Sequence, residues 1–251
     1  KPLIKVDGIP IIQHVINMFP LVKKVVFVCN QEHLDNSDFN LVKTLKAISP
    51  SSDIFGVKPH KLGPVHAVLE AKKAIDRNEP TIINYCDFTC YWNFNDFQHF
   101  VARDECDGAI VCYTGFHPHT LTNTNYAYVK MSGGYVSEIQ EKCPFTGSPT
   151  SEFASSGTYY FKTGGIAIDY LEKMRASGLD VNGEYYVSLA YRPMLADGKK
   201  VRVYPLQHFM QWGTPQDLSE YNYYSSIFTR LSQSESASAH HAGALMIPMA
   251  G

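Results

Sequence analysis

An α/β fold with a mainly parallel, mixed sheet flanked by helices is predicted by three observations. First, short apolar runs such as VVFVCN, TIINYC and GAIVCY alternate with segments of helical periodicity over the first 115 residues. Strands buried on both faces read as continuous apolar runs, whereas strands with one wet face alternate. Second, 45% of the chain is hydrophobic, 13% aromatic and only 18% charged. Burial on that scale offsets the entropy of ordering, which excludes a disordered chain. Third, 251 residues suit one large domain or two small ones with a sizeable core.

The elements follow in chain order. Residues 9–19, IPIIQHVINMF, have helical spacing, and Pro10 lies near the start, where its missing N–H costs nothing. KKVVFVCN reads as a buried strand, LGPVHAVLEAKKAI as a turn and amphipathic helix, and PTIINYCD and DGAIVCYTG as two more strands. NYAYVKM and GYVSEIQEK form a hairpin around Gly133 and Gly134, and SSGTYYFK is rich in β-formers. IAIDYLEKMRASG is a helix closed by Gly178, NGEYYVSLAYRPMLADG a further helix and KKVRVYPL a strand. TPQDLSEYNYYSSIFTRL is a last helix, capped by Thr214 with Pro215 at its first position.

Charge and cysteine content narrow the setting. Lys and Arg number 22 against 24 Asp and Glu, a formal net charge of −2, so no global electrostatic reason exists to bind nucleic acid or an anionic membrane. Cys29, Cys86, Cys90, Cys106, Cys112 and Cys143 form no CxxC pair and lie mostly in apolar runs. They read as reduced core thiols of a cytoplasmic protein. No stretch approaches the ~18 consecutive apolar residues of a membrane span, and Lys1 to Val6 lacks the apolar stretch of a secretory signal.

The two ends share one pattern. SQSESASAHHAGA has linker composition, yet it is followed by LMIPMAG, an apolar strand running into a small-residue turn. KPLIKVDG begins as abruptly. The expected organisation is a domain over residues 1–231, a linker or tag-like segment at 232–243, and at 244–251 the first strand of the same domain, leading into a glycine-rich loop.

Read end to start, these pieces resemble the signature of nucleoside-triphosphate transferases of GT-A-like Rossmann fold: a first strand, a glycine-rich loop with an arginine, and a Pro-Lys pair. Leu245 to Gly251 supply the strand and first glycine, and Lys1 the lysine; the middle of the loop is not part of the sequence. LGPVHAVLEA resembles the turn and helix against the nucleobase, and INYCDF the strand ending in the metal-binding aspartate. VSEIQEK with SSGTYYF resembles the Glu-Lys pair and glycine-aromatic strand around the acceptor. VNGEYYV and WGTPQDL resemble the distal metal and acceptor region. Each match alone is weak, and five in order are strong. The subgroup resembled is bacterial enzymes of capsule and surface polysaccharide pathways, including sugar-phosphate nucleotidyltransferases and relatives of CTP-dependent phosphocholine cytidylyltransferases.

The resemblance implies transfer of a nucleoside monophosphate from an NTP, CTP favoured, to a phosphorylated small molecule with release of pyrophosphate, using Mg²⁺. A homo-oligomer is compatible with it, and neither nucleic acid nor membrane is an expected partner. The acceptor phosphate is already anionic, so the site must neutralise charge and align reactants rather than supply a strong base. Asp87, at the carboxyl end of a strand, is the expected Mg²⁺ ligand; capping the following helix is its other reading. Lys1 would lie beside the phosphates, or else be a solvated lysine. Lys142 would reach the acceptor phosphate beside Glu141, or form a surface ion pair with it. Glu184 is implied near acceptor and metal, although a first-turn carboxylate also suits a helix dipole. Gly63, Ala250 and Gly251 fall on the nucleotide side by the same resemblance, and Gly157 on the acceptor side.

One departure stands out. Where many sugar nucleotidyltransferases carry a second metal-binding Asp near Gly-Thr, the stretch here is Gln211-Trp212-Gly213-Thr214, and a neutral amide is a poorer Mg²⁺ ligand. Either Glu184 supplies the second charge or Asp87 acts with phosphates and water. Gln211 also keeps open a nucleotide-binding module without catalysis. A GT-A glycosyltransferase is the other alternative, although Asp87-Phe88-Thr89 lacks the second aspartate of an Asp-x-Asp motif. His117 and His119 flank Pro118, whose extended preference points the two rings to opposite sides. Tyr221, Tyr223 and Tyr224 on the last helix read as packing residues.

Overall fold

A computed structural model describes residues 1–103, 106–121 and 123–238. The segment from Leu245 to Gly251, with Ala250, lies outside the described residues. Strands β1 (Lys5–Val6) and β2 (Ile9–Pro10) form a hairpin through Asp7 and Gly8, both at positive φ, and Pro10 caps helix α1 (Ile11–Asn17). Next come β3 (Val26–Asn30), α2 (Gln31–Asp35), α3 (Leu41–Ile48) and β4 (Asp53–Val57), with β3 and β4 paired in parallel. α4 (Pro64–Glu70), β5 (Thr81–Asn84), β6 (Phe88–Tyr91) and α5 (Phe94–Ala102) lead to the wholly buried β7 (Gly108–Tyr113). The remainder is β8 (Ala127–Ser132), β9 (Tyr135–Glu141), β10 (Phe153–Phe161), α6 (Gly164–Ala176), α7 (Tyr191–Ala196), β11 (Val201–Pro205), β12 (His208–Gln211) and α8 (Pro215–Ser238).

The main sheet has six strands in the order β11-β7-β10-β8-β9, with β5 joining β10. β11 pairs in parallel with β7, while β10 runs antiparallel to β7, β5 and β8. β5, β7 and β11 therefore share one direction and β10 is the reversed strand among them, a GT-A-like mixed α/β arrangement. α6 and α7 bury Leu171, Met174, Tyr191 and Met194 against this sheet, beside Ile110, Tyr159 and Phe161. Fully burying one such aliphatic side chain stabilises by about 1.5–3 kcal/mol. The Tyr191 hydroxyl stays satisfied in that core by donating to Tyr160 O at 2.8 Å and Ala109 O at 3.1 Å. A second cluster (Val6, Ile11, Val15, Phe27, Leu45 and Trp212) ties the first layers to the end of β12.

Strand β10 also opens the cleft. One edge pairs with β7; the other pairs with β8 only at Phe153 and Ala154, and with β5 only from Thr158 to Phe161. Between these partners the register shifts and Gly157 takes φ +99°. Its backbone accepts from Tyr85 N at 3.1 Å, and an added Cβ would stand 3.0 Å from the Tyr85 ring. Ser155, Ser156 and Gly157 are thus left facing a cleft.

Two segments differ from their sequence reading. NGEYYVSLAYRPMLADG is helical only as a 3₁₀ turn at Val187–Ala190 and as α7. Asn182 and Gly183 have positive φ, and Tyr185 N donates to Leu62 O at 2.9 Å, so residues 181–185 form a turn held against the loop before α4. α8 continues past Leu231 to Ser238, because SQSESAS contains no helix breaker. Among the described residues no helix is long and apolar enough to cross a membrane.

Candidate active site

The cleft, ≈ 140 Å³, runs from Asp87, Gln211 and Gly213 at one end to Glu141 and Tyr186 at the other. Asp87 follows β5 and Gln211 ends β12. The antiparallel pairing of β6 with β12 sets Gln211 opposite Phe88, and Trp212 N donates to Asp87 O at 2.9 Å. Lys1 Nζ lies 3.5 Å from Asp87 Oδ2, with both side chains partly exposed, so the structure brings these two predicted residues together. Asp217, in the first turn of α8, accepts from Thr214 N at 2.9 Å, Thr214 Oγ1 at 2.6 Å and Gln211 Nε2 at 3.1 Å, all on Oδ2. Gln211 Oε1 is buried and has no hydrogen-bond partner among the described residues.

The other end is built around the turn after β9. Lys142 takes φ +57° there, and its N–H donates to Tyr126 O at 2.8 Å. Its ammonium donates to Tyr186 Oη, Tyr186 Oη donates to Glu184 Oε2, and the Lys142–Glu184 ion pair measures 3.9 Å. Glu141 accepts from Ser188 Oγ. Burial raises the Glu141 carboxyl to about 7, against the lowering pull of the Ser188 hydrogen bond and of Lys142. Glu141 also borders a second cavity, ≈ 190 Å³, whose walls include Asp180 and Arg192. Gly63, at φ +81°, caps α4 where a Cβ would stand 2.7 and 2.8 Å from the backbone N and O of Tyr185. That glycine is what lets the α4 loop close on the turn carrying Glu184.

Over residues 1–226 the sequence matches the nucleotidyl transferase family. The chain belongs to that family. It is a nucleotidyltransferase enzyme, and similarity of fold agrees. A nucleoside-diphosphate-sugar pyrophosphorylase from Vibrio cholerae superposes with a TM-score of 0.68 at 18% identity, covering 88% of this chain and 91% of that one. A UDP-glucose pyrophosphorylase complexed with UDP-glucose gives 0.66 at 17%, covering 90% of each chain. HddC from Yersinia pseudotuberculosis gives 0.58 at 16%, covering 89% and 88%. No curated protein matches the chain in sequence.

The residues around Asp87 in this nucleotidyltransferase fit a divalent cation. Asp87 presents a partly exposed carboxylate at a strand end, in the cleft that Gln211 also lines. Hard oxygens of this kind suit Mg²⁺, which usually takes one or two carboxylates and completes its shell with phosphates and water. Among the described residues no three His, Cys, Asp or Glu side chains form a ready metal cluster. Glu184 is engaged by Tyr186 and Lys142, not by Asp87.

His117 and His119 depart from the expected geometry. Pro118 opens a 3₁₀ turn, Pro118–Leu121, instead of an extended segment, so the two rings stack with centroids 5.5 Å apart. His119 lies buried against Tyr113 and the cleft-lining Tyr126, and burial lowers its pKa to about 4. Tyr221 packs on Trp212 and donates to Asp7 at 2.7 Å, whereas Tyr223 and Tyr224 are exposed. Sequence reasoning missed Asp217, Tyr186 and Ser188. Asp217 was hidden inside a good capping pattern, and Tyr186 and Ser188 inside a segment read as helix.

Proposed function

We propose that the chain transfers the nucleoside monophosphate of an NTP, with CTP the first choice, to a phosphorylated small molecule and releases pyrophosphate. The acceptor is a sugar 1-phosphate or a phosphorylated alcohol or amine. The observation that carries the reading is a single cleft running from Asp87, with Lys1 upon it, to Glu141 and Tyr186, with Lys142 upon the tyrosine. Two cations at opposite ends of one cleft suit two phosphate-bearing reactants.

In this reading an acceptor phosphate oxygen attacks the α-phosphorus, and the bond to the bridging oxygen of the β-phosphate breaks. The nucleophile needs no base because it is ionised at neutral pH. Lys142 holds the acceptor phosphate, and Tyr186 and Glu184 hold Lys142. Lys1 lies where negative charge grows on departing pyrophosphate. Asp87 would hold Mg²⁺, which supplies positive charge on the triphosphate when bound. Glu141, with Ser188, contacts the acceptor; Gly157, whose missing Cβ makes room for the Tyr85 ring, lies on the acceptor side, and Gly63 shapes the nucleotide side. Ala250 and Gly251 fall on the nucleotide side by resemblance alone. The choice of CTP, and a role in making surface polysaccharide, rest on the likeness of the LMIPMAG segment to cytidylyltransferases.

The test is a panel of the four NTPs against sugar 1-phosphates and phosphorylated alcohols and amines, with Mg²⁺, read by pyrophosphate release. Stoichiometric pyrophosphate with one pair, CTP foremost, supports the proposal. Nucleotide binding without pyrophosphate from any acceptor would sink it, and nucleoside diphosphate released from a nucleotide sugar would favour glycosyl transfer.

A further inference from the structure

We propose that the acceptor carries a carboxylate remote from its phosphate, and that the cavity behind Glu141 receives that end of it on Arg192. The acceptor class so named, a sugar-acid 1-phosphate, deepens the reading of the cleft as a nucleotidyl-transfer site and rests on it. Two cavities meet at one side chain. Glu141 lines the main cleft, as Tyr186 does, and also lines the second cavity of ≈ 190 Å³. Gln140 and Cys143 border that second cavity, while Lys142 directs its ammonium to Tyr186 Oη. A phosphate held by Lys142 leaves the rest of its molecule beside Glu141.

Arg192 is the group in that cavity that lacks a partner. Its Nε donates to Ile139 O at 2.9 Å, which pins the guanidinium along β9. Among the described residues it makes no ion pair and no other hydrogen bond. An arginine anchored in this way presents its two remaining nitrogens as a planar fork that matches a carboxylate. Leu179, Val181 and Leu189 give the cavity an apolar wall, which suits the C–H face of a sugar ring. Its other charged groups are Glu141 and Asp180, the latter accepting from Gly183 N at 2.7 Å. Two carboxyl groups in the walls disfavour a doubly charged phosphate on Arg192 more than a singly charged carboxylate. Burial also raises the Glu141 carboxyl to about 7, which lessens its repulsion of an anionic ligand near neutrality.

The two compartments share a frame. Val181 N donates to Glu184 O at 3.0 Å, and Glu184 N to Val181 O at 3.1 Å. The turn that walls the second cavity at Val181 thus carries Glu184, which accepts from Tyr186 and pairs with Lys142. A molecule with one anionic group on Lys142 and another on Arg192 is aligned by both. A neutral sugar phosphate forgoes the Arg192 contact, so discrimination follows from the same geometry.

Matched acceptors test this with the full chain, Mg²⁺ and each NTP, read by pyrophosphate release. The pairs are glucose 1-phosphate with glucuronic acid 1-phosphate, and galactose 1-phosphate with galacturonic acid 1-phosphate. In at least one pair kcat/KM is expected to favour the acid by about tenfold or more. Arg192→Met should remove most of that preference and leave kcat/KM for the neutral sugar within about threefold of wild type. A second readout needs no turnover. Cys143 is exposed and lines the cavity, so its alkylation by iodoacetamide, mapped by mass spectrometry, should slow about threefold or more at saturating acid. Equal kcat/KM within both pairs, or a preference that survives Arg192→Met, overturns the inference while pyrophosphate release upholds nucleotidyl transfer. Activity confined to neutral sugar phosphates or to phosphorylated alcohols and amines does the same. No pyrophosphate from any acceptor overturns the nucleotidyl-transfer reading itself, and the inference with it. If Arg192→Met melts far below wild type, the alkylation of wild-type Cys143 decides alone, and an undiminished rate overturns the inference.

Discussion

The two ends of the cleft are built on different physical terms. At the Asp87 end the partly exposed Lys1 and Asp87 pair at 3.5 Å, a kind of contact worth ~0–1 kcal/mol, beside an Asp217 that is buried and held by Thr214 and Gln211. At the Lys142 end, Lys142, Tyr186 and Glu184 form one chain of hydrogen bonds, and Glu141 is buried enough to titrate near neutrality. In the proposed reaction the first end meets a triphosphate that brings its own charge and metal, so it needs only a carboxylate and a lysine. The second end, in that proposed reaction, distinguishes one phosphorylated molecule from another, and half-buried, hydrogen-bonded polar groups suit that task because a wrong ligand leaves them unpaired.

Substitutions at the two ends should therefore separate. The largest effect is expected from Asp87→Ala, which should cut turnover by at least ~10²–10³-fold while binding of the phosphorylated acceptor, measured by calorimetry, is unchanged. Equal loss of acceptor binding would break the division. Lys142→Met should lower kcat/KM for the acceptor by about 10–10²-fold, the range of a charge-assisted hydrogen bond, with NTP affinity unaltered. Steady-state kinetics with each substrate varied in turn checks it.

Gly63→Ala should act on stability first. Its Cβ would meet Tyr185 backbone at 2.7 and 2.8 Å and must adopt φ +81°, which costs about 1–3 kcal/mol. The melting temperature should fall by roughly 2–4 °C for each kcal/mol. Acceptor KM should rise with it, since the same contact holds the Glu184 turn, while Mn²⁺ affinity should not change.

The smallest and sharpest separation is in pH. Glu141 has its pKa raised from 4.5 to about 7 by burial. Between those values the folded state binds the extra proton, so its stabilising contribution is complete below about 4.5 and is lost as pH rises towards 7. His119 is lowered from 6.5 to about 4, also by burial. There the unfolded state binds the extra proton, so stability is lost as pH falls through that window. The two dependences oppose one another. Glu141→Gln should leave a protein that loses stability more steeply on acidification from pH 7 to 4, and His119→Gln one that loses it less, read as melting temperature against pH. Parallel curves for both variants would refute the assignment.

Much of this was legible in the linear sequence. VVFVCN, TIINYC and GAIVCY became strands because an apolar run too short for a helix has few other ways to bury itself. Gly133 and Gly134 turned the β8–β9 hairpin because both adopt positive φ. Asp87 was visible as a carboxylate at the end of such a run, and Lys142 through the Glu-Lys pair. Other features were not legible. NGEYY has residues that tolerate a helix, but Tyr185 pairs with Leu62, more than a hundred positions earlier, and that pairing made it a turn. Pro118 admits both extended and 3₁₀ geometry, and Tyr113 and Tyr126 packed around His119 accompany the second.

The class of fold, the family motifs, the position of Asp87 and the neutral residue at 211 follow from local pattern and residue chemistry, so they stand in the chain as written. Folding in three dimensions was needed for β10 to change partners at Gly157 and open the cleft, for Ser188 and Tyr186 to reach Glu141 and Lys142, and for Asp217 to accept from the amide of Gln211. Each of those depends on which distant backbone arrives within about 3 Å, the range in which hydrogen bonds act.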